Sequence, residues 1–400
     1  MSQKRIRVAV VGGGMGGLAA AVSLFRRGLD VAVYEQSSML REIGAGVFIY
    51  PNSLRQMERM GLGAALARVG AKVGSGSEYY RQDGSLVGKI LTTDSSGWNG
   101  MYGMHRADIL QALADALPPL AIHTGHKCVD FSQDAAGARL AFENGQVAQA
   151  DVVVAADGIN SALQKFVVGP SAPEYAGFRA YRGLLPADRL PDWRREAHQV
   201  WMGDGKHFMV FPVRRAELLN YVGFVPTRTE TAESWSAVGD RDELAASFAG
   251  WDPRVTQLLE QVETCFWWGL YDRKPLGKWV NGRLALLGDA AHPMLPHLGQ
   301  GANQAIEDGT ALAVMLQACQ EAGTAPADAL QRYEALRRPR TAMVQAEARK
   351  NGLRYDSKYA DLAQRDKEIA NSALLRRSLY DYDVEKAALA FPAGLDVVAK

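Results

Sequence analysis

Cysteine is nearly missing from this 400-residue chain: Cys128, Cys265 and Cys319 are widely spaced, odd in number and form no CxxC pair. Such a pattern predicts neither a disulfide framework nor a zinc site, and no metal is expected; a reducing cytoplasm is the expected setting. An excess of one charge is missing too. Lys plus Arg number 45 against 44 for Asp plus Glu, a net +1, so no overall field draws the chain to nucleic acid or to an anionic membrane. Nor is there an unbroken apolar span. The stretch from Val8 to Phe25 is interrupted by five glycines and stops at Arg26 and Arg27, which argues against a signal peptide or a membrane helix. With 48% hydrophobic and 22% charged residues the composition is that of an ordinary globular chain, and at ~150 residues per domain it divides into two or three units.

What is plentiful is glycine, at 40 of 400 residues against an average of about 7%. The first cluster decides its meaning. Residues 5–11 read RIRVAVV, a β-branched run suited to a buried parallel strand, followed by GGGMGG and then LAAAVSLFRRG. Gly12, Gly14 and Gly17 fall on GxGxxG, in the order strand, tight turn, helix. The first glycine permits the turn, the second lets backbone approach a pyrophosphate, and the third lets helix pack on strand. A second strand, DVAVYE, ends at Glu35, placed to accept a hydrogen bond from an adenosine ribose. This unit predicts dinucleotide binding and does not choose between NAD and FAD.

Two further buried strands end in similar turns: ADVVVAADG at 150–158 and RLALLGDAAHP at 283–293. Three such ends suit one elongated cofactor lying across the carboxyl edge of a sheet. Between them lie a helix over 104–117 opened near Arg106, a β-rich stretch over 73–91, and alternating strands at 123–131 and 138–142.

GxGxxG with Glu35, the ADG segment at 156–158 and GDAAHPMLPHLGQGANQAIED at 288–308 together resemble the class A FAD-dependent monooxygenases. The members most similar in pattern are the single-component salicylate, 3-hydroxybenzoate and 6-hydroxynicotinate hydroxylases. Supporting matches are His105-Arg106, YRG at 181–183, YDRKPLGKWVNGR at 271–283 and YEALRRPRT at 333–341. The resemblance implies an α/β fold: a Rossmann-like FAD-binding domain (1–72, 100–175 and 279–345) interleaved with a β-sheet-rich substrate domain (73–99 and 176–278), with C-terminal helices over 346–400. It implies that Glu35 holds the ribose, that Arg41 and Arg106 lie along FAD, and that Asp289 holds the ribityl chain or pyrophosphate. Asp157 would serve both FAD and the nicotinamide nucleotide. Relatives carry Arg seven residues after that Asp, whereas this chain has Gln164. Pro293, Gly299, Gly301, Ala302 and Asn303 would surround the flavin, two prolines fixing an extended loop and the helix start offering N–H groups to it.

The activity implied is NAD(P)H- and O2-dependent hydroxylation of a small aromatic acid, of hydroxybenzoate or hydroxypyridine carboxylate type and in some relatives with decarboxylation, through a C4a-hydroperoxyflavin. Alternatives on the same scaffold are an epoxidase, a urate-type hydroxylase, or a flavin-binding redox protein without turnover. The nicotinamide cofactor, NADH or NADPH, has no second GxGxxG, as expected for transient docking. No nucleic-acid or membrane partner is expected, and the protein is a monomer or homodimer. A phenolic substrate calls for a base near neutral pKa, and histidine is the natural choice. His207, in the alternating strand HFMVFPV, and His297, in PHLGQG, are the candidates, with Tyr221 a third. Phe48, Arg182, Phe211 and Pro296 complete the expected substrate contacts. His123, His126 and His198 are expected at the surface, and His105 and His292 in structural roles.

Overall fold

The run Arg7–Val11 is a strand whose last four residues are buried in the computed structural model, which describes residues 5–40, 45–227, 237–356 and 359–392. It pairs in parallel with Asp30–Tyr34 on one side and Val152–Ala155 on the other. Leu284–Leu286 is parallel to Val152–Ala155 in turn. The three strands that end in glycine-bearing turns are therefore neighbours pointing the same way, and their carboxyl ends share one edge of a six-stranded sheet. Helices Met15–Arg26 and Gly301–Ala322 pack together against this sheet. They meet at Gly309, where a Cβ would stand 2.6 Å from the Cα of Ala20.

The helix Gly301–Ala322 buries charge as well as apolar surface. Glu307 and Asp308 are both fully buried. Arg337, from the helix Pro326–Tyr355, bridges them, with Nη1 at 2.6 Å from Glu307 Oε2 and Nε at 2.7 Å from Asp308 Oδ1. Arg340 adds a second contact to Glu307 at 2.8 Å. Asn52 Nδ2 donates to Glu307 at 2.6 Å, and the backbone N–H of Gly288 donates to Asp308 at 3.1 Å. His292 Nε2 lies 2.5 Å from the other side of Asp308. Three other stretches of chain thus meet on two carboxylates, and their mutual attraction offsets a desolvation cost that either charge alone would not recover.

The second sheet has eight strands, drawn from 78–89 and 174–272. Its two faces follow from side-chain alternation. Tyr181, Phe208, Val210 and Tyr221 point outward and pack with Leu244 of the helix Arg241–Ser247 and with Phe248, which follows it. Ala180, Met209, Phe211, Val222 and Phe224 point inward, toward Phe48 and Leu298. The C-terminal part covers this inner face: Tyr355, Ile369, Leu379 and Tyr380 belong to the same apolar cluster. The helical segment expected to begin at 346 instead starts inside the helix Pro326–Tyr355, which runs unbroken through that point. Its mixed-charge sequence conceals a buried side, occupied by Val344, Ala348 and Tyr355. Among the described residues no helix is long and apolar enough to cross a membrane, and no cluster of His, Cys, Asp and Glu could hold a metal.

Glu307 and Asp308 are enclosed, yet the neighbouring cations hold both carboxyls below their ordinary values of 4.5 and 3.8. A depressed folded-state pKa contributes stability that is fully present above the unfolded value and lost as pH falls through the folded one. Arg337→Met should therefore cost on the order of 3–5 kcal/mol at neutral pH by stranding buried carboxylates. Melting curves of the two proteins should differ most at neutral pH and converge as acid protonates those groups. A gap that does not narrow on acidification contradicts this account.

Candidate active site

The edge shared by the three strand ends has the form of a nucleotide cleft. A Cβ on Gly12 would run into the carbonyl oxygen of Ala156, and one on Gly17 into that of Gly12. These two positions are closed by the protein's own backbone. Gly14 differs: nothing lies within 4 Å of where its Cβ would be. It is also the N-cap of the helix Met15–Arg26 and supplies no side-chain cap, so the first N–H groups of that helix face open space suited to phosphate. Glu35, just beyond the second strand, accepts hydrogen bonds from the N–H of Gly13 at 2.7 Å and Ser37 at 2.8 Å. Its carboxylate is thereby aimed at the mouth of the glycine turn.

At the other strand ends the acids are held differently. Asp157 Oδ2 accepts from the Ala162 N–H at 2.8 Å, while Oδ1 is enclosed with no partner among the described residues. Burial pushes its carboxyl up. Gln164 donates from Nε2 to the carbonyl of Ala290 at 2.8 Å, tying the 157–164 segment to the turn Gly288–Ala290. Asp289 in that turn is accessible to solvent, yet walled in closely enough that its carboxyl is pushed up, against the fields of His292 and Arg106. An enclosed but accessible carboxylate beside an arginine, in a cleft lined by free helix N–H groups, fits a diphosphate with sugar hydroxyls.

The helix Gly301–Ala322 also starts without a side-chain cap. Gly301 has no atom nearer its Cβ position than Met294 Cγ at 3.8 Å, so the N–H groups of Gly301, Ala302 and Asn303 open onto the cleft. The Asn303 side chain is not available to a ligand. Its Nδ2 donates to the carbonyls of Phe48 and Gly299, both at 2.9 Å, and its Oδ1 accepts from the Tyr50 N–H and the Ser53 hydroxyl. It pins the strand Gly46–Ile49 to the helix. Pro293 and His297 are fixed through their carbonyls, which accept from Gln345 at 2.8 Å and Asn351 at 2.7 Å. Met15 is buried at the first turn of its helix. Arg41 lies outside the described residues.

Beside this loop the inner sheet face brings the two histidine candidates together. Their ring centroids are 5.1 Å apart, and both side chains are buried. His207 stacks on Phe224 at 4.2 Å, and its Nδ1 lies 2.8 Å from Asp356 Oδ1. His207 Nε2 and His297 Nδ1 have no partner among the described residues. Burial, with His207 adding to it, holds His297 well below the ordinary histidine pKa, so it is neutral at physiological pH. The Phe48 and Phe211 rings pack at a tilt with centroids 4.0 Å apart, and Pro296 is half-buried in the adjoining turn.

Two expected members stand apart and two residues join. Tyr221 is on the outer face: its ring packs near Phe208 and its hydroxyl donates to the Thr264 carbonyl at 3.3 Å. Its neighbours Asn220 and Val222 face inward, so alternation excludes it from the site. Arg182 is on the inner face, but its guanidinium lies over Trp268 at 5.0 Å, and the strand Leu218–Pro226 separates it from His207. His198, expected at the surface, is buried, with its ring 4.5 Å from Phe48. The period-two pattern His198, Val200, Met202 could have revealed it. Asp356 carried no local signal, since it sits at the end of a charged helix 149 residues from its partner.

Comparison with known proteins agrees with this geometry. The model of the FAD binding domain family matches residues 5–348. The chain belongs to this family. It is 38% identical over 356 residues to a 3-amino-4-hydroxybenzoate 2-monooxygenase of Streptomyces platensis, covering 88% of this chain and 89% of the relative. It is 35% identical to a 6-hydroxynicotinate 3-monooxygenase of Pseudomonas fluorescens, covering 85% and 89%. A salicylate hydroxylase substrate complex superposes with a TM-score of 0.84 at 28% identity, covering 98% of this chain and 99% of that one. The flavoprotein is thus of the flavin monooxygenase type, with FAD as its cofactor.

Substitutions in the glycine turn separate fold from cofactor. Gly17→Ala should unfold the turn and lower the melting temperature, because its Cβ has no room. Gly14→Ala meets no protein atom, so the apoprotein should melt as the wild type does while FAD affinity falls, read as flavin released on gel filtration. Asp289→Ala should also purify colourless. Tyr221→Phe should leave substrate affinity and turnover unchanged, and a large change in either would put this tyrosine back in the site.

Proposed function

We propose that this flavoprotein uses NADH or NADPH and O2 to hydroxylate a small aromatic acid that carries a phenolic hydroxyl, of hydroxybenzoate or hydroxypyridine carboxylate type. The observation that carries the reading is the buried His207–Asp356 pair with Nε2 of His207 left unpartnered, next to the flavin-side loop 293–303. Bound FAD supplies the electron acceptor for the nicotinamide and the place where oxygen is activated. One oxygen atom then goes to the ring and the other leaves as water, with the nicotinamide giving two electrons.

The residues of the chain have separable tasks. Gly14, Met15 and Glu35 hold the adenosine end, on a turn that Gly12 and Gly17 allow to close, and Arg106, Asp157 and Asp289 the middle. The N–H groups of Gly301 to Asn303, with Pro293 and Gly299 shaping the loop before them, stabilise negative charge on the ring system, by ~1 kcal/mol or more where water is excluded. Nε2 of His207 accepts the phenolic proton, which makes the ring a better nucleophile. Asp356 accepts a hydrogen bond from Nδ1–H, which fixes the tautomer and stabilises the imidazolium that forms. His297, being neutral, does not oppose that positive charge. Phe48, Phe211, Phe224 and Pro296 wall the ring off from water. The three cysteines are free and buried, which supports a reducing compartment.

A panel of aromatic acids, scored by substrate-stimulated oxidation of NADH and NADPH with the product identified by mass, tests the reading. It fails if no phenolic acid stimulates oxidation or if no oxygen enters the product. His207→Asn should retain FAD and slow hydroxylation by ~10²–10⁴-fold, the range for loss of a positioned base. Nicotinamide oxidation should continue and end in peroxide, seen by comparing oxygen uptake with product formed.

A further inference from the structure

The inner face holds one cation that the reaction as described leaves idle. Arg376, on the helix Leu362–Tyr380, is 4% exposed. Its Nε donates to the Tyr79 hydroxyl and its Nη2 to the Tyr355 hydroxyl, both at 3.1 Å. Tyr50 and Tyr380 complete the surround. Burial pushes the hydroxyls of Tyr50, Tyr79 and Tyr380 up, so these phenols are neutral. No carboxylate among the described residues pairs with Arg376.

A buried guanidinium with only neutral partners is a costly arrangement, because a neutral hydrogen bond returns much less than the lost hydration of the charge. Arg337, equally deep, has two carboxylates. A second, independent observation lies beside the cation. His198, whose pKa is lowered by burial and further by the nearby Arg376, has neither ring nitrogen partnered among the described residues. Its ring packs against Phe48, which in turn packs against Phe211. An uncompensated cation and an idle donor–acceptor pair thus border the same aromatic wall. Tyr355, which holds Arg376 through its hydroxyl, has its ring 5.2 Å from that of His207, so one tyrosine links the cation to the proposed base.

We propose that Arg376, assisted by His198, binds the carboxylate of the aromatic acid, making the C-terminal helix part of the active site. The assignment rests on the aromatic-acid reading above. The incoming carboxylate supplies the missing counter-charge, and holding it at Arg376 directs the phenolic end of the ring toward His207. Selectivity for acids over plain phenols then originates in a helix that follows the family-matched residues 5–348.

The test is equilibrium binding by calorimetry to the FAD-loaded protein, with three matched pairs: 3-amino-4-hydroxybenzoate and 2-aminophenol, salicylate and phenol, 6-hydroxynicotinate and 2-hydroxypyridine. The wild type should prefer the acid in at least one pair. In Arg376→Gln the acid of that pair should weaken on the order of 100-fold, as for truncation of one partner of a buried charge pair, while the decarboxylated partner binds as before. Arg376→Lys should keep part of the preference. Should the glutamine variant lose FAD or fail to fold, Tyr79→Phe keeps the charge but frees its aim, and should weaken the acid selectively. Equal weakening of both members of a pair, or an acid affinity unchanged in the variants, overturns the assignment. A wild type that prefers no acid overturns the aromatic-acid reading itself.

Discussion

Everything in the cleft depends on two adjacent carboxylates that water never reaches. Glu307 and Asp308 lie in the first turns of the helix Gly301–Ala322 and bind Arg337 and Arg340 from the next helix, Asn52 from the helix Pro51–Arg59, and His292 and Gly288 from the strand-end turn. Such a knot adds little net stability compared with apolar packing, but any slip in register strands a buried charge. It therefore fixes position more than it adds cohesion. With its middle clamped, the helix must present residues 301–303 to the sheet edge where Asp289 sits. His292 is occupied by Asp308, which explains why a histidine inside the most recognisable motif is a structural residue.

The second constraint is the pleat of the eight-stranded sheet. Both faces are buried, one under the helix Arg241–Ser247 and the other under the cofactor side and the C-terminal helices. Side-chain period alone decides which residues face the candidate site. His207, Met209 and Phe211 face the site, while Phe208 and Val210 face away. A shift of one residue in pairing would replace the histidine with Phe208. The register with Leu218–Pro226 is continuous from His207 opposite Phe224 to Val213 opposite Leu218, so no bulge weakens the assignment of faces.

These two constraints explain what could be read from the chain and what could not. The cofactor cleft is built from local grammar: each glycine turn follows directly on the strand that carries it, so GxGxxG, ADG and GDAAHP announce themselves within a few residues. His207 and His297 were likewise marked by their own short contexts. The substrate side is assembled from distant pieces. Asp356 reaches His207 across 149 positions, and Arg376 reaches Tyr79 across 297; neither leaves a local pattern. Tyr221 looked equivalent to its neighbours because alternation separates the two faces of a strand without saying which one is covered by what. That a helix runs through position 346 leaves no local pattern for a related reason. A helix with scattered charges on one side reads as solvated even when its other side closes a pocket.

Buried arginines therefore carry two different messages in the same chain. Arg337 is saturated: each carboxylate it touches is supplied by the protein, and the charge is complete before any ligand arrives. Arg376 is surrounded by hydroxyls that solvate it in part and leave its charge standing. Had selection required only a tether for the C-terminal helix, a neutral donor would have served the same tyrosines without the desolvation cost. Retaining a full positive charge there makes physical sense when something negative completes it. On the proposed reading that partner is the substrate, so the pocket becomes electrostatically whole only with an acid in place, and the helix that closes it is held more tightly when the ring is bound than when it is absent.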